Sequence, residues 1–340
     1  MRWSAAWALA GLLLVLPVAN ALTFEEALRR ASGLPPVQAA QLELEDAQAA
    51  LTRTRSDPLA LRPEVLAAEQ RLALARAQYE QRAYESAAAV GGAYARVLGA
   101  EEETRLAQQR VVLSQRLLRA AQIRLENLTA TELDVRDAAA ALDGARGAQR
   151  AAQERLGLAQ RNLSGLLGQQ MSAAALEPVP ESVLEATPSA VAALNAAREH
   201  PTLLEARQAE ALAQFNADIL DPIFSSRTVI EEARTALRSA QAAAQESTRA
   251  FELQLRDLVA QVRAARTTYE GAREAFLNAQ ARLQVQQNRL SAGLISELEL
   301  RQAEVAASEA EYAALTARNS LITSLLALRA GSLLRLEGID

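Results

Sequence analysis

The stretch RLSAGLISELEL, residues 289–300, decides the fold of this chain, because a related stretch, RLENLTATELDV, occupies residues 124–135. In the later copy, Gly293 is suited to the left-handed conformation that ends many helices. Ser296, followed three residues later by Glu299, forms the capping-box pattern that begins a new helix. A helix end followed at once by a helix start predicts the tip of a helical hairpin.

The earlier copy carries the same signals with one difference. Thr131 and Asp134 form its capping box, but Leu128 stands in the place of the glycine. The offset that aligns the two tips also holds far from them, since it aligns Pro36, in Pro-Pro-Val, with Pro201, in His-Pro-Thr. Because one offset aligns pairs of positions that lie far apart in the chain, we predict that the chain contains an internal duplication.

The pattern of residues 1–21 predicts a secretory signal peptide. Arg2 is a basic residue near the start of the chain, an apolar run occupies residues 5–18, and residues 19–21 form an A-x-A cleavage signal. The run is shorter than the apolar stretch of about 20 residues that a membrane-spanning helix needs. We therefore expect export to the cell envelope and a mature chain that begins at Leu22.

Composition narrows the class of protein. The chain has no cysteine, so neither disulfides nor a lipidated N-terminal cysteine can form. Its net charge of −5 is mild for 340 residues, and nucleic acid is not an expected partner. The aromatic content of 4% in an alanine-rich sequence favours long, closely packed helices over an ordinary globular core.

Proline and glycine divide the chain into two helical repeats. We predict a first repeat over residues 22–168, a proline-containing linker over 169–188 and a second repeat over 189–340. Each repeat is predicted to contain a short helix, a long helix and a return helix. The proline-free stretch 64–126 would span about 95 Å as one helix, close to the short and return helices laid end to end.

Both long helices carry apolar or small residues at alternating spacings of three and four. The first series is Val90, Ala93, Val97, Ala100, Thr104, Ala107, Val111, Ser114, Leu118, Ala121 and Leu125. The second is Leu255, Leu258, Val262, Ala265, Tyr269, Ala272, Phe276, Ala279, Leu283, Gln286 and Leu290. This heptad pattern predicts coiled-coil packing, and a generic antiparallel coiled coil would satisfy it too.

The order of these features resembles the outer-membrane efflux protein family, the TolC-like channel proteins. The resemblance rests on LTFEEAL (22–28), HPTLLEA (200–206), RLSAGLISELELRQAE (289–304), the closing stretch up to residue 331 and the duplication. Members of that family form trimers, in which helical hairpins build a periplasmic α-barrel and four strands per protomer enter a membrane β-barrel. The resemblance implies an exit duct for tripartite efflux pumps or type I secretion, which docks to a periplasmic adaptor through its hairpin tips.

The chain departs from the family where the strands would lie, between the short and long helices. A membrane hairpin needs about 9–11 residues per strand plus a turn. The two windows, residues 52–63 and 217–229, are too short, and both contain Asp-Pro, which favours a tight turn. We therefore predict an all-α fold with little or no β-structure.

The resemblance to the family implies that residues of the two tips dock to the adaptor. These residues are Leu125, Asn127, Leu128, Thr129, Thr131, Leu290, Ala292, Gly293, Leu294 and Ser296. The alternative is that they only close the hairpins.

Charged residues beside the tips are candidates for the mouth of a pore. These residues are Arg124, Glu132, Asp134, Arg289, Glu297 and Glu299. In a trimer the carboxylates would ring the mouth and favour cations, and the arginines would latch it closed. We prefer the alternative, that the carboxylates complement helix dipoles and the arginines are solvated.

The sequence contains no recognisable catalytic motif. His200 is the only histidine, and without cysteine it cannot form a usual zinc site. No catalytic triad or phosphate-binding glycine loop can be recognised, so we expect no enzyme activity, no metal and no cofactor.

The sequence thus predicts a passive duct component of the periplasm or outer membrane, as a homotrimer with an adaptor and an inner-membrane transporter. The alternative is an elongated coiled-coil scaffold or spacer of the envelope without a lumen. A closed ring would distinguish the duct from the spacer.

Overall fold

A computed structural model of the chain describes residues 22–168, 176–185, 189–221 and 223–335. These residues are almost entirely helical, and the only β-type pairing among them is an isolated bridge between Leu22 and Leu176. The α-helices are α1 (Phe24–Arg30), α2 (Pro35–Ser56), α3 (Arg62–Glu126), α4 (Glu132–Leu167), α5 (Ser182–Glu185), α6 (Ala190–Ala196), α7 (Pro201–Asp218), α8 (Arg227–Ser291) and α9 (Glu297–Ser332). The predicted signal peptide and part of the predicted linker lie outside the described residues.

The two hairpins have matching lengths. Helices α3 and α8 contain 65 residues each, and α4 and α9 contain 36 each. Both helices of the second hairpin begin where the offset between the sequence repeats places the starts of the first. A 65-residue helix is about 97 Å long, so each hairpin is an extended rod.

The four long helices lie side by side in the order α4, α3, α9, α8. Helices α3 and α9 are inside this row, whereas α4 and α8 form its flanks. The short helix α2 runs along α3, and α7 runs along α8. The predicted all-α fold of antiparallel helical hairpins is confirmed.

The predicted heptad series lie at the helix contacts. Every member of both series is buried or half-buried. Burial is deepest at the end of each series far from the tip, where Val90 and Val97 in α3, and Leu255 and Val262 in α8, are nearly inaccessible. The apolar spacing of three and four therefore correctly marks the packed face of each long helix.

The largest apolar core lies midway along the row, where α1, α5 and the segment after Leu176 cover α3 and α9. Phe24 packs edge-on against Tyr94, with ring centroids 5.5 Å apart. The Tyr94 hydroxyl lies 2.8 Å from the Leu22 carbonyl oxygen and 2.6 Å from that of Glu177. Burial raises the pKa of Tyr94, so its hydroxyl remains a proton donor to these carbonyls.

Close packing at this core depends on Gly91. A Cβ atom on Gly91 would lie 2.5 Å from Cδ1 of Leu326, which is itself buried in α9. A larger residue at position 91 would therefore push α3 away from α9 or displace Leu326.

Turns occupy the two windows where family members carry strands. Helix α2 ends at Ser56 and α3 begins at Arg62, while α7 ends at Asp218 and α8 begins at Arg227. The prediction of tight turns is confirmed for the described residues of both windows. Within the described ranges, no helix has an apolar stretch of the kind that crosses a bilayer.

Candidate functional site

The two hairpin tips share one backbone design. At the first tip, the Leu128 N–H donates to the Leu125 carbonyl at 2.9 Å, and the Thr129 N–H donates to the Arg124 carbonyl at 2.8 Å. Leu128 has a φ of 56°, in the left-handed region that leucine rarely adopts. These are the bonds of a left-handed helix C-cap.

At the second tip, equivalent residues make the same bonds. The Gly293 N–H donates to the Leu290 carbonyl at 2.8 Å, and the Leu294 N–H donates to the Arg289 carbonyl at 2.8 Å. Gly293 has a φ of 72°, which glycine adopts without strain. The tips therefore have the same shape, although only one has the residue that favours it.

Capping boxes begin both return helices, as predicted. The Asp134 carboxylate accepts hydrogen bonds from the Thr131 N–H at 2.7 Å and from its hydroxyl at 2.8 Å. The Glu299 carboxylate accepts the same two bonds from Ser296, at 2.7 and 2.9 Å. These bonds lower the pKa of Asp134 and the pKa of Glu299. The tips are therefore held at both ends of each turn.

Each tip presents one large apolar side chain to solvent. Leu128 is 92% exposed and Leu294 is 69% exposed. Leu125 and Leu290 instead lie half-buried at the ends of their packed faces. The remaining predicted tip residues are exposed, and they are Asn127, Thr129, Thr131, Ala292, Gly293 and Ser296. A fixed turn with an exposed leucine at its apex offers a partner protein an apolar contact.

The candidate mouth carboxylates have different surroundings. Asp134 and Glu299 are engaged in the capping boxes described above. Glu132 pairs with Arg136 in the same helix at 3.4 Å. Glu297 lies 3.8 Å from Arg116, on the neighbouring hairpin.

The two mouth arginines are both exposed. Arg289 lies 3.5 Å from the side-chain oxygen of Gln286. The carbonyl oxygen of Arg124 accepts the tip hydrogen bond from Thr129. A role of these side chains at a pore mouth stays a prediction.

A row of ion pairs joins the two hairpins, and the sequence patterns did not reveal it. Along the contact between α3 and α9, three arginines of α3 face three glutamates of α9. The pairs are Arg105–Glu311 at 2.5 Å, Arg110–Glu309 at 2.7 Å and Arg116–Glu297 at 3.8 Å. The partners of each pair belong to different repeats and lie far apart in the chain, so no local charge spacing could have indicated them.

Helix α4 has an outer face without a partner in the described part of the molecule. It packs against α3 and makes no extensive contact with α8. Its opposite side carries a second series spaced by four and three, fully or partly exposed, which consists of Leu133, Asp137, Ala140, Gly144, Gly147, Ala151, Glu154 and Leu158. Small residues occupy the middle of this face, which permits close approach by another helix.

Helix α8 also has an exposed outer face. Opposite its contact with α9, exposed residues recur at spacings of three and four, namely Glu274, Leu277, Ala281, Val285 and Asn288. A second periodicity of this kind is readable in the sequence, but it can be assigned to a free face only once the first has been placed.

His200 serves the fold. It is buried at the start of α7, where its Nδ1 accepts a hydrogen bond from the Thr202 N–H at 3.4 Å. Its ring stacks at a tilt on Phe251, with centroids 4.5 Å apart, and burial lowers the pKa of His200. Among the described residues, no three histidine, aspartate or glutamate side chains come together in a way that could hold a metal ion.

Several solved structures of channel and outer-membrane proteins are similar to this chain. CusC is 14% identical, with a TM-score of 0.66 over 91% of this chain and 95% of that chain. VceC of Vibrio cholerae is 16% identical, with a TM-score of 0.62 over 91% and 95% of the two chains. The open state of the MtrE outer membrane channel of Neisseria gonorrhoeae is 14% identical, with a TM-score of 0.58 over 91% and 88%.

The sequence matches no protein-family model and no curated protein. The similarity therefore lies in the arrangement of the helices along nearly the whole chain. The resemblance to the TolC-like outer-membrane efflux proteins is confirmed at the level of the fold, and the chain has a TolC-like helical fold whose described residues contain no strands.

Proposed function

We propose that this protein is a passive duct component of a TolC-like efflux or type I secretion system, acting in the periplasm at the outer membrane. Three copies would close into a helical barrel, and an inner-membrane transporter would supply the energy. The observation that carries the proposal is the pair of open flanks, on α4 and α8, in a chain that has the fold of outer-membrane channels.

A ring of three protomers has a suitable size. Each protomer contributes four long helices to the row, so three protomers contribute 12. At about 10 Å between neighbouring axes, the ring would be about 38 Å across between opposite axes, which leaves a passage of about 28 Å. Such a passage would admit small molecules or an extended polypeptide.

The open flanks have one complementary pair of positions at matched height. Gly144 on α4 lies as far after Leu128 as Leu277 on α8 lies before Gly293, so both are equally far from a tip. At this height α4 has no side chain, whereas α8 presents an exposed leucine. A flank of one protomer packed against the other flank of the next would repeat the knobs-into-holes packing of the hairpins.

Cross-linking tests the ring directly, because the chain contains no cysteine of its own. We would combine Gly144→Cys with Leu277→Cys and apply a short thiol-reactive cross-linker. The expected product is a ladder that ends at three chains. Each single substitution is the control and should give no trimer.

If the double variant gave no more cross-linked product than the single variants and had the native mass of one chain, the ring would be contradicted. The turns in place of strands already favour a second candidate, the coiled-coil spacer of the envelope. A monomeric rod would be the result expected for that spacer.

Adaptor docking is proposed for the tips. The capped, rigid turns and the exposed Leu128 and Leu294 support it. The test combines Gly293→Val, which strains the turn, with Leu294→Asp, which removes the apolar apex. We expect loss of adaptor binding and of transport with helix content retained. Leu42→Asp, at an exposed leucine of α2 far from the tip and from both flanks, is the matched control.

Unchanged adaptor binding and transport in the folded double variant would contradict docking through the tips. Equal losses in Leu42→Asp would show that a charge at any exposed leucine disrupts function.

A further inference from the structure

The end of the molecule opposite the tips exposes large apolar side chains on two turns. We name this surface the apolar end, and it consists of Leu59, Leu61, Ile219, Ile223 and Phe224. Leu59 and Ile223 are each 83% exposed, and Phe224 is 87% exposed. Exposed turns usually carry polar residues or glycine, so this composition calls for an explanation outside the fold of one chain.

The turns are built alike, and in each an aspartate carboxylate accepts a hydrogen bond from a backbone N–H two residues later. The Asp57 carboxylate accepts from the Leu59 N–H at 2.9 Å, and the Asp57 carbonyl accepts from the Ala60 N–H at 3.1 Å. In the second turn, the Asp221 carboxylate accepts from the Ile223 N–H at 2.7 Å. Each aspartate thus bonds its own turn, and the following aliphatic residue is left pointing to solvent.

Both turns lie at the same level. The Gln208 side chain on α7 donates to the Gln70 carbonyl on α3 at 2.9 Å, which ties the two repeats together near this end. Gln70 lies eight residues after the start of α3, and Gln208 lies ten residues before the end of α7. At 1.5 Å per residue, both turns project about 12–15 Å beyond this tie.

Basic side chains surround the apolar end. Arg62 and Arg227 are the first residues of α3 and α8, where a positive charge opposes the helix dipole. Their placement therefore does not serve the helices. Neither makes an ion pair among the described residues, and neither does Arg53, whereas Arg55 pairs with Glu69 at 2.6 Å.

Most carboxylates at this end are engaged within the protein, whereas the exposed Glu232 on α8 makes no hydrogen bond or ion pair among the described residues. Glu64 accepts from the Leu61 N–H at 3.0 Å, and Asp218 accepts from Gln214 at 2.7 Å. Glu231 pairs with Arg234 at 3.3 Å, a turn further from the end. The guanidinium groups thus remain available to an external anion.

We propose that the apolar end binds a phospholipid bilayer surface, with the two turns as shallow wedges and the arginines on anionic headgroups. The exposed apolar side chains are divided between two narrow projections, whereas a protein partner needs about 800 Å² of continuous, well-fitted surface. A bilayer surface needs no matching shape, and exposed apolar side chains with arginines beside them can enter its headgroup region. This inference does not depend on ring formation.

The test uses the protein from Leu22 onward. All residues of the described apolar cores lie at or after Leu22, so this part contains the whole described fold. Both tryptophans, Trp3 and Trp7, precede it, as does the apolar run at residues 5–18. A single introduced tryptophan would therefore report on its own site without background.

Phe224→Trp places the reporter at the apolar end, and Leu128→Trp places it at the far tip as the matched control. Vesicles of phosphatidylcholine mixed with phosphatidylglycerol should shift the Phe224→Trp emission to the blue, and brominated lipid should quench it. The Leu128→Trp emission should not change. Equal responses of the two reporters, or none from either, would overturn the proposal.

Flotation with the same vesicles tests the side chains themselves. The fourfold variant Leu59→Ser, Leu61→Ser, Ile223→Ser and Phe224→Ser should partition at least tenfold less than the wild type. Leu128→Ser with Leu294→Ser, at the far end, should float like the wild type. A fourfold variant that floats like the wild type would overturn the proposal.

The arginines and a protein occupant are tested separately. Arg62→Gln with Arg227→Gln should weaken flotation with anionic vesicles and leave that with phosphatidylcholine alone unchanged. A blue shift of Phe224→Trp without lipid, accompanied by a doubled native mass, would show that a second copy covers this end, and would overturn the lipid proposal.

Discussion

The two hairpins have equal lengths and the same seam, yet they have different surroundings. In the first hairpin the long helix α3 is inside the row and the return helix α4 is on its flank. In the second, the long helix α8 is on the flank and the return helix α9 is inside. Equivalent positions thus differ sharply, since the close-packed Gly91 of the first repeat corresponds to the exposed Arg256 of the second. The place of a helix in the row decides which of its residues must be small or apolar.

The left-handed positions show the same asymmetry. Leu128 and Gly168 end the two helices of the first hairpin, whereas Gly293 and Leu333 end those of the second, all with positive φ. Leu333 is buried, so core packing compensates for its backbone strain. Leu128 is almost fully exposed, so nothing within one chain compensates for its strain. A strained, exposed residue of this kind is expected where a partner binds.

The largest effect is expected from filling the close contact of the first hairpin. Gly91→Val should lower the free energy of unfolding by about 2–3 kcal/mol, because its side chain would overlap Leu326 in a packed core. Urea unfolding followed by circular dichroism would measure the change. Gly271→Val, in the open middle of α8, is the matched control and should change stability little. Equal losses in both variants would contradict the asymmetry between the two long helices.

A smaller loss is expected at the buried hydroxyl of the same core. Tyr94→Phe should lower the free energy of unfolding by about 1–3 kcal/mol, because the Leu22 and Glu177 carbonyls lose their shared hydrogen-bond donor. The equivalent residue of the second hairpin, Val259, is buried without a hydroxyl. Tyr269→Phe, at a partly buried tyrosine of α8, is the control. If Tyr94→Phe unfolded like the wild type, the hydroxyl would not hold the covering segments on α3.

Exchanging the tip residues tests the strain at the first tip. Leu128→Gly should raise the free energy of unfolding by about 1 kcal/mol, and Gly293→Leu should lower it by about 1 kcal/mol. Thermal unfolding of the two variants and of their combination would measure both changes. A stabilised Leu128→Gly variant with weakened adaptor binding would support the functional reason for the leucine. Destabilisation by Leu128→Gly would mean that its side chain makes contacts that stabilise the fold.

The smallest effect concerns pH and separates the two short helices. His200 is the N-cap residue of helix α7, whereas the N-cap residue of α2 is Leu34, which cannot titrate. Burial lowers the pKa of His200, so the unfolded chain takes up a proton more readily than the folded one. This contribution to stability is present above the ordinary histidine pKa of about 6.5 and is lost as the pH falls.

His200→Asn keeps a capping side chain and removes the titration. The Tm of the wild type should therefore fall relative to that of His200→Asn between about pH 7.5 and about pH 5.5. A constant difference across this range would contradict the account of His200. The capping carboxylates Asp134 and Glu299 would not interfere, because their lowered pKa values place their effect in more acidic solution.

Local patterns predicted the hairpins, the capping boxes, the seams and the turns in place of strands. These features depend on residues close together in sequence or on one repeated spacing. The order of the helices in the row could not be predicted in this way, because both long helices carry similar apolar series. It depends on contacts between the repeats, such as Gly91 against Leu326 and Arg110 with Glu309. The open flanks depend on that order in turn.

The tip residues were predicted from the tip signals and the family resemblance, and the structure adds which of their side chains are exposed. The apolar end was not predicted, because Asp-Pro in each window indicated only that the chain turns. Its composition gains meaning once both turns are seen at the same end of the molecule, with Arg62 and Arg227 at equivalent helix starts.

The central claim is that the row of four helices is one third of a closed ring. The most direct measurement is the native mass of the protein from Leu22 onward by light scattering, combined with its shape by electron microscopy. The account predicts three chains around a central opening. A solid rod of one or two chains would contradict it and would favour the envelope spacer.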